Sequence, residues 1–437
     1  MNSYAQFLTK KSKKFTGDGT SVQDDDLCKS LFPFQRAIVR WCLSKGRSCV
    51  FAGTGLGKTR IQLEYLRHLD GTRLIVAPLA VAGQTVNEAD AIGMRIAHVR
   101  SERDIVTGVA NIVNYDSLEL FDDIAVDAVA LDESSILKNH AGAFRNYVTD
   151  RFKHTRFKLC ATATPSPNDY MELGTHSEFV GAMTRAEMLA TFFMHDGGDT
   201  SQWRLKRHAR ADFWKWLSSW ACVLSHPRDI GFEQEGYDLP ELTIIDHIVD
   251  AGHDAFGGLF GGSSVSATTL HSTLRDSAKE RVARTAQIIA QEPDVQWLVW
   301  CNSEVEQDLI ERAIPGIVSV RGRDTQESKE GRLLGFASGK YQNLVTKPSI
   351  AGFGMNWQNC NRIAFCGVTY SFEQTYQAIR RCWRFGQVHP VHTHIVTCAG
   401  TDAVRAALQA KQSAFEDMAV EMKKYCVSEV CMFPHPA

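Results

Sequence analysis

No apolar run in this 437-residue sequence reaches the roughly 20 residues a membrane-spanning helix needs, so no membrane role is expected. Positive charge is not in surplus either. There are 48 lysines and arginines against 50 aspartates and glutamates, a formal net charge of −2. Affinity for a polyanion must then come from local basic patches and not from the whole chain. The 12 cysteines are scattered, and several, such as Cys49, Cys160 and Cys366, lie inside apolar runs. They read as reduced, buried thiols. A complete metal set is missing: Cys426, Cys431 and His435 offer three ligands without a fourth at standard spacing. His389, His392 and His394 lack a cysteine or carboxylate at ligand spacing and read as ordinary strand residues. The lysines at 10, 11, 13 and 14 are not followed by the apolar core of a signal peptide, so a cytoplasmic location is expected. What remains is a globular chain, 44% hydrophobic and long enough for two domains.

The most informative stretch is Phe51-Ala52-Gly53-Thr54-Gly55-Leu56-Gly57-Lys58-Thr59. An apolar run, Ser48 to Phe51, precedes it and reads as a buried strand. Arg60 to Leu66 follows with helical spacing. Strand, glycine turn and helix form the context in which backbone N–H groups cradle phosphate oxygens. Lys58 is placed to reach the β- and γ-phosphates of ATP, and the Thr59 hydroxyl to ligate Mg²⁺. The stricter form of the pattern has glycine where this chain has Ala52. Gln35, about 20 residues upstream, can act as donor and acceptor towards an adenine.

Further buried strands are expected over 72–79, 110–118, 126–133 and 157–165. Strands alternating with helices imply an α/β fold with a parallel sheet, whose ligands lie at the carboxyl ends of the strands. Asp132 and Glu133 end one of these strands. The expected roles are metal ligand for Asp132 and general base or water-positioning group for Glu133.

Residues 179–240 break the alternation and read as a helical insertion. Phe213, Trp216, Leu217 and Trp220 fall at i, i+3, i+4 and i+7, one face of a helix that packs by its aromatic side or stacks on exposed bases. The basic run Trp203-Arg204-Leu205-Lys206-Arg207-His208-Ala209-Arg210 is open to two readings, a solvated helix face or a phosphate-contacting one. The glycine-rich stretch 251–264 has no lysine after it and reads as a flexible loop. A second parallel unit is expected from strands at 295–301, 342–346, 362–366 and 391–396. It has no phosphate loop. Instead it carries Arg381 and Arg384, three residues apart and expected on one helical face, where two guanidinium groups suit a γ-phosphate.

The order of these motifs resembles the Swi/Snf-type branch of the superfamily II helicase-like ATPases, from about Leu31 to Thr401. Phe34-Gln35 matches the adenine motif and AGTGLGKT the phosphate loop; LDESSILKN stands where the family usually has LDEAHxxKN. TATPSPND, AGFGMNWQ and QAIRRCWRFGQ follow in the family order, the last with its Gly386-Gln387 being the most specific. Compactness, the DESS form and the segment from Trp203 to Ala221 resemble members found in bacteriophages and prophages. Departures are Ser134-Ser135 for the usual Ala-His, Arg380 for an acidic residue and Ala351 for a glycine. The resemblance implies two RecA-like domains, with ATP and Mg²⁺ held between them. Gln35, residues 53–59 and Gly354 would bind nucleotide, and Lys58, Asp132, Glu133, Arg381 and Arg384 would act on it. It further implies translocation on double-stranded DNA, held largely without sequence preference, in the cytoplasm of a bacterial host. A strand-separating DNA or RNA helicase is the alternative, and a non-motor scaffold a third. The expected boundaries are an N-terminal arm (1–30), a first domain (31–178), the helical insertion (179–240), a second domain (241–401) and a C-terminal helix (402–437) that packs on the second domain.

Overall fold

The structure is a computed structural model. It describes residues 15–78, 81–139, 142–166, 170–196, 199–250, 273–351, 355–367, 371–399 and 402–430. The glycine-rich stretch 251–264, Gly354, Cys431 and His435 lie outside these residues. The chain divides into two compact units, Met1–Glu235 with Ala414–Ala437, and Gly236–Ser413.

The first unit carries strands β1 (Arg47–Ala52), β2 (Arg73–Ala77), β3 (Ile96–His98), β4 (Ala110–Asn114), β5 (Ala128–Asp132), β6 (Phe157–Thr162), β7 (Phe193–Asp196), β8 (Asp199–Leu205) and β9 (Ala221–Leu224). Seven of them form one sheet in the order β3-β4-β2-β5-β6-β1-β9. Every pairing in it is parallel. The central strands are buried along nearly their whole length, which is why they read as continuous apolar runs and not as alternating ones. β7 and β8 form a separate antiparallel hairpin.

The second unit carries β10 (Leu242–Val249), β11 (Trp297–Trp300), β12 (Val318–Ser319), β13 (Asn343–Thr346), β14 (Arg362–Cys366) and β15 (Val391–Cys398). They form one parallel sheet in the order β10-β15-β14-β11-β13-β12. Each unit is thus an α/β layer structure with a parallel sheet, as the alternation of strands and helices implied.

Three regions differ from expectation. Residues 15–30 are not a loose arm: Phe15 joins the first unit's core, its N–H donates to Ser219 Oγ at 3.1 Å, and Thr20 N–H donates to Leu43 O at 2.8 Å. Residues 179–240 are not wholly helical. They supply the β7–β8 hairpin and β9, which extends the first sheet beside β1. The closing helix Asp402–Val430 does not end on the second unit. Met418 and Met422, one turn apart, are 1% and 2% exposed in the first unit's core, and Lys423 pairs with Asp229 at 3.0 Å. Among the described residues no helix is long and apolar enough to cross a membrane, and no group of three metal-ligating side chains occurs.

Candidate nucleotide site

Strands β5, β6 and β1 lie side by side, and their registers bring Asp132 opposite Ala161 and Thr162 opposite Phe51. The ends are staggered: Asp132 is level with Ala161 and, through it, with Val50, Thr162 is level with Phe51, and Ala52 ends β1 one residue further on. With strands about 4.8 Å apart, the outer two ends are separated by roughly 10 Å, which is the scale of a polyphosphate chain.

The loop after β1 is fixed from both sides. Gly53 N–H donates to Leu224 O at 2.9 Å, so the edge strand β9 anchors its start. Gly55 and Gly57 take φ of +93° and +78°, conformations that cost a side-chain-bearing residue strain. Gly57 is constrained twice, because a Cβ there would collide with Gln35 Nε2. The helix Lys58–Arg67 starts directly after it. Lys58 Nζ donates to Ala52 O at 3.0 Å and to Gly53 O at 3.5 Å, so the ammonium lies along the inside of the loop.

Gln35 is only 2% exposed. Its Oε1 accepts from Phe32 N–H at 3.0 Å and its Nε2 donates to Leu56 O at 3.1 Å. The amide thereby ties the helix Pro33–Lys45 to the glycine loop. A primary amide has two donors and two acceptor lone pairs, so one of each is left for an adenine edge.

The acidic end of β5 is held more tightly than its sequence suggests. Asp132 is 5% exposed, and its Oδ1 accepts from Gln62 Nε2 at 2.7 Å. Gln62 sits one helical turn after Lys58, so the lysine's own helix also grips the carboxylate. The Asp132 carbonyl accepts from the Tyr115 hydroxyl at 2.9 Å. Burial, with Asp132 second, holds the Tyr115 phenol well above its ordinary pKa, so it stays a donor. Glu133 has φ of +47°, the positive value of a non-glycine residue among the described ones. Such a conformation costs about 1–3 kcal/mol and persists only where the surroundings impose it. Here they do. Ser134 N–H donates to Ala161 O at 3.0 Å, and Ser134 Oγ lies 3.0 Å from Nε2 of His176, with both side chains fully buried. Phe51 packs edge-on against the His176 ring at 5.1 Å. Ser134, the first of the two serines that depart from the family's Ala-His, is thus integral to the turn that carries Glu133.

In the second unit the helix Phe372–Ile379 ends before the arginines. Arg381 and Arg384 lie in the turns beyond it, and not on the helical face that their spacing implied. They converge nonetheless, each donating from Nη1 to Met355 O at 3.3 Å. Gln387 secures these turns: its Nε2 donates to Cys360 O at 3.0 Å and to Cys382 O at 3.3 Å, and Gly386 takes φ of +89°. Arg380 packs against the ring of Trp383 at 4.9 Å.

Gln62, Tyr115 and His176 are site residues that sequence reasoning did not assign. The i, i+4 spacing of Lys58 and Gln62 was a usable signal. For His176, 42 residues from Ser134, there was none.

Residues 268–386 match the helicase conserved C-terminal domain family. Protein p41 of Acyrthosiphon pisum secondary endosymbiont phage 1 is 30% identical over 177 residues, which is 34% of this chain and 38% of that relative. The chain therefore matches well under half the length of that curated relative. Among solved structures, the Sulfolobus solfataricus SWI2/SNF2 ATPase core in complex with dsDNA superposes with a TM-score of 0.42 at 16% identity, over 94% of this chain and 98% of that one. Residues 268–386 thus carry a match to the helicase conserved C-terminal domain family, and the motif order from Phe34 to Gln387 resembles that of Snf2-like superfamily II helicase-like proteins.

Proposed function

We propose that this chain is a DNA-stimulated ATPase that moves along duplex DNA. The observation that supports it best is the braced row of strand ends. Lys58 and Asp132, on β1's loop and β5, are joined through Gln62 in one helix-to-strand linkage. An ammonium, a hydroxyl and two carboxylates beside a glycine loop that opens a helix are the set a nucleoside triphosphate with Mg²⁺ requires.

In this reading Lys58 leaves the carbonyls of Ala52 and Gly53 for β- and γ-phosphate oxygens. Residues 53–59 wrap the phosphates and Gln35 meets the adenine edge; Gly354, outside the described residues, is assigned to nucleotide binding on the resemblance alone. Thr59 and Asp132 would hold Mg²⁺, which when bound neutralises charge between the β- and γ-phosphates. Glu133, held by its strained turn, orients the attacking water and takes its proton. Arg381 and Arg384 stabilise charge on the transferred γ-phosphoryl group. DNA is contacted mainly at phosphates, so binding is expected to be salt-sensitive and largely independent of sequence.

A second reading, strand separation, is favoured by one observation, the antiparallel β7–β8 hairpin set apart from the main sheet. Displacement of a third strand from a DNA triplex separates the two. A duplex translocase strips the third strand in an ATP-dependent way and leaves the duplex paired. Release of a duplex strand instead overturns the first reading in favour of the second.

A further inference from the structure

The basic run 203–210 had two readings from sequence, and the structure removes the premise of both. It is not one helical face. Trp203, Arg204 and Leu205 end β8, Arg207–Ala209 form a 3-10 turn, and a helix begins only at Arg210. The aromatic stripe Phe213, Trp216, Leu217 and Trp220 is buried, at 0%, 4%, 1% and 0% exposure, and cannot stack on bases. It roots the hairpin instead. Phe193 packs on Phe213 at 5.6 Å between ring centres, and Phe192 on Trp216 at 5.3 Å. Lys206 Nζ donates to Ala190 O at 2.8 Å and Thr191 O at 3.0 Å, clamping the hairpin's end to the preceding helix. A two-stranded ribbon is marginal alone; this one is held stiffly at its base.

Its outer part carries another kind of chemistry. His195 and Trp203 face each other across the strands, ring centres 3.8 Å apart, with His195 exposed and Trp203 half-buried. Met194, opposite Arg204, is 42% exposed. Arg204, Arg207 and His208 are exposed on the strand and the turn that follows, in a chain whose net charge is −2. Arg210 pairs with Glu421 at 3.6 Å.

We propose that this hairpin binds an unstacked nucleic-acid strand where a duplex opens. An exposed base lies against the His195–Trp203 pair, and Arg204 and Arg207 meet the flanking phosphates. Rings require the flat face of a base, which a base inside a duplex does not offer, whereas a frayed or single strand does. Phosphate binding alone would need the arginines but not the rings. The proposal rests on the reading that the chain acts on nucleic acid, and it adds the place and form of one contact.

The test is nucleotide-free binding of the full chain, by fluorescence anisotropy, to a fork with single-stranded arms and to a blunt duplex of the same paired length. His195→Ala should weaken fork binding by about tenfold and leave the blunt duplex unchanged. Arg204→Ala with Arg207→Ala should lower the slope of log affinity against log salt by about 2 on the fork. Equal thermal melting of the variants confirms their fold. A fork made of RNA tests the polymer: a loss on either fork supports the assignment, and no loss on both overturns it. A wild type whose ATP turnover ignores every nucleic acid strikes the functional reading. Unchanged fork binding by both variants strikes the hairpin assignment alone.

Discussion

In the first unit, strands β5, β6 and β1 end in Asp132, Thr162 and Ala52 with its glycine loop; in the second, β14, β11 and β13 end in Cys366, Trp300 and Thr346. The sheets share parallel order and buried central strands, yet the first set of ends carries a glycine loop, a lysine and paired carboxylates, a combination that the second set lacks. In the second unit the charge arrives after a helix, in the turns that aim Arg381 and Arg384 at the Met355 carbonyl. The frame is set by apolar strand runs in both units. The chemistry depends on the few residues that follow a strand or a helix, and on which backbone conformations those residues permit.

The units also differ in how they bury charge. The second holds Arg281 at 0% exposure, paired with Glu306 at 2.7 Å and donating to Cys366 O at 2.5 Å and to Leu274 O. This pair knits the helices Ala278–Ala290 and Glu304–Ala313 to β14 and lies outside the candidate site. In the first unit the buried Asp132 belongs to the site itself. Substitutions should therefore separate catalysis from folding along this line.

The largest effect should come from Arg381→Ala. Loss of an arginine that stabilises γ-phosphate charge lowers turnover by about 10³–10⁵-fold, while a fluorescent ATP analogue still binds to the first unit. Loss of nucleotide binding as well would erase the division of labour between the units. Next, Arg281→Ala should destabilise the second unit by about 3–5 kcal/mol, because Glu306 is left buried and unpaired. Replacing both partners by apolar residues should restore most of that in a denaturant melt. Gly57→Ala should cost about 1–3 kcal/mol from its positive φ and also disturb Gln35, so thermal melting and nucleotide affinity should fall together.

The smallest effect concerns pH and the second unit alone. His247 Nε2 and His394 Nδ1 lie 2.9 Å apart, and Arg284 Nη2 lies 3.2 Å from His247 Nδ1. Burial first, then His247, His392 and Arg362, push the His394 pKa down from 6.5 to about 4, against a weak opposing pull from Glu292. The unfolded chain takes up this proton before the folded one does. Stability is therefore full above pH 6.5 and is lost as pH falls towards 4. His394→Gln should flatten that slope in urea melts between pH 7 and pH 4.5, and an unchanged slope would remove His394 as its source.

Much of this was legible in the sequence, and what was not has physical causes. Buried parallel strands announce themselves as apolar runs, so β1, β2, β5, β6, β11 and β14 were found. The short edge strands β3 and β12 have too few residues to carry a pattern, and β9 is hidden by the aromatic helix before it. The pairing of Gln62 with Asp132 spans 70 residues, and that of Ser134 with His176 spans 42. Such contacts are fixed by tertiary packing; only the i, i+4 spacing of Gln62 from Lys58 hinted at the first, and nothing local marked the second. The arginines illustrate the opposite case. Their i, i+3 spacing suggested a helical face, the helix stops at Ile379, and the two guanidinium groups still meet because the turns curl back on Met355.

The central claim is that the row of strand ends in the first unit hydrolyses ATP in response to DNA. It is tested most directly by steady-state ATP turnover of the wild-type chain and of Lys58→Ala, each without nucleic acid and with duplex DNA, single-stranded DNA and RNA. The account predicts turnover strongly stimulated by duplex DNA and abolished in Lys58→Ala. Wild-type turnover that no nucleic acid raises, or turnover that survives loss of the Lys58 ammonium, would contradict it.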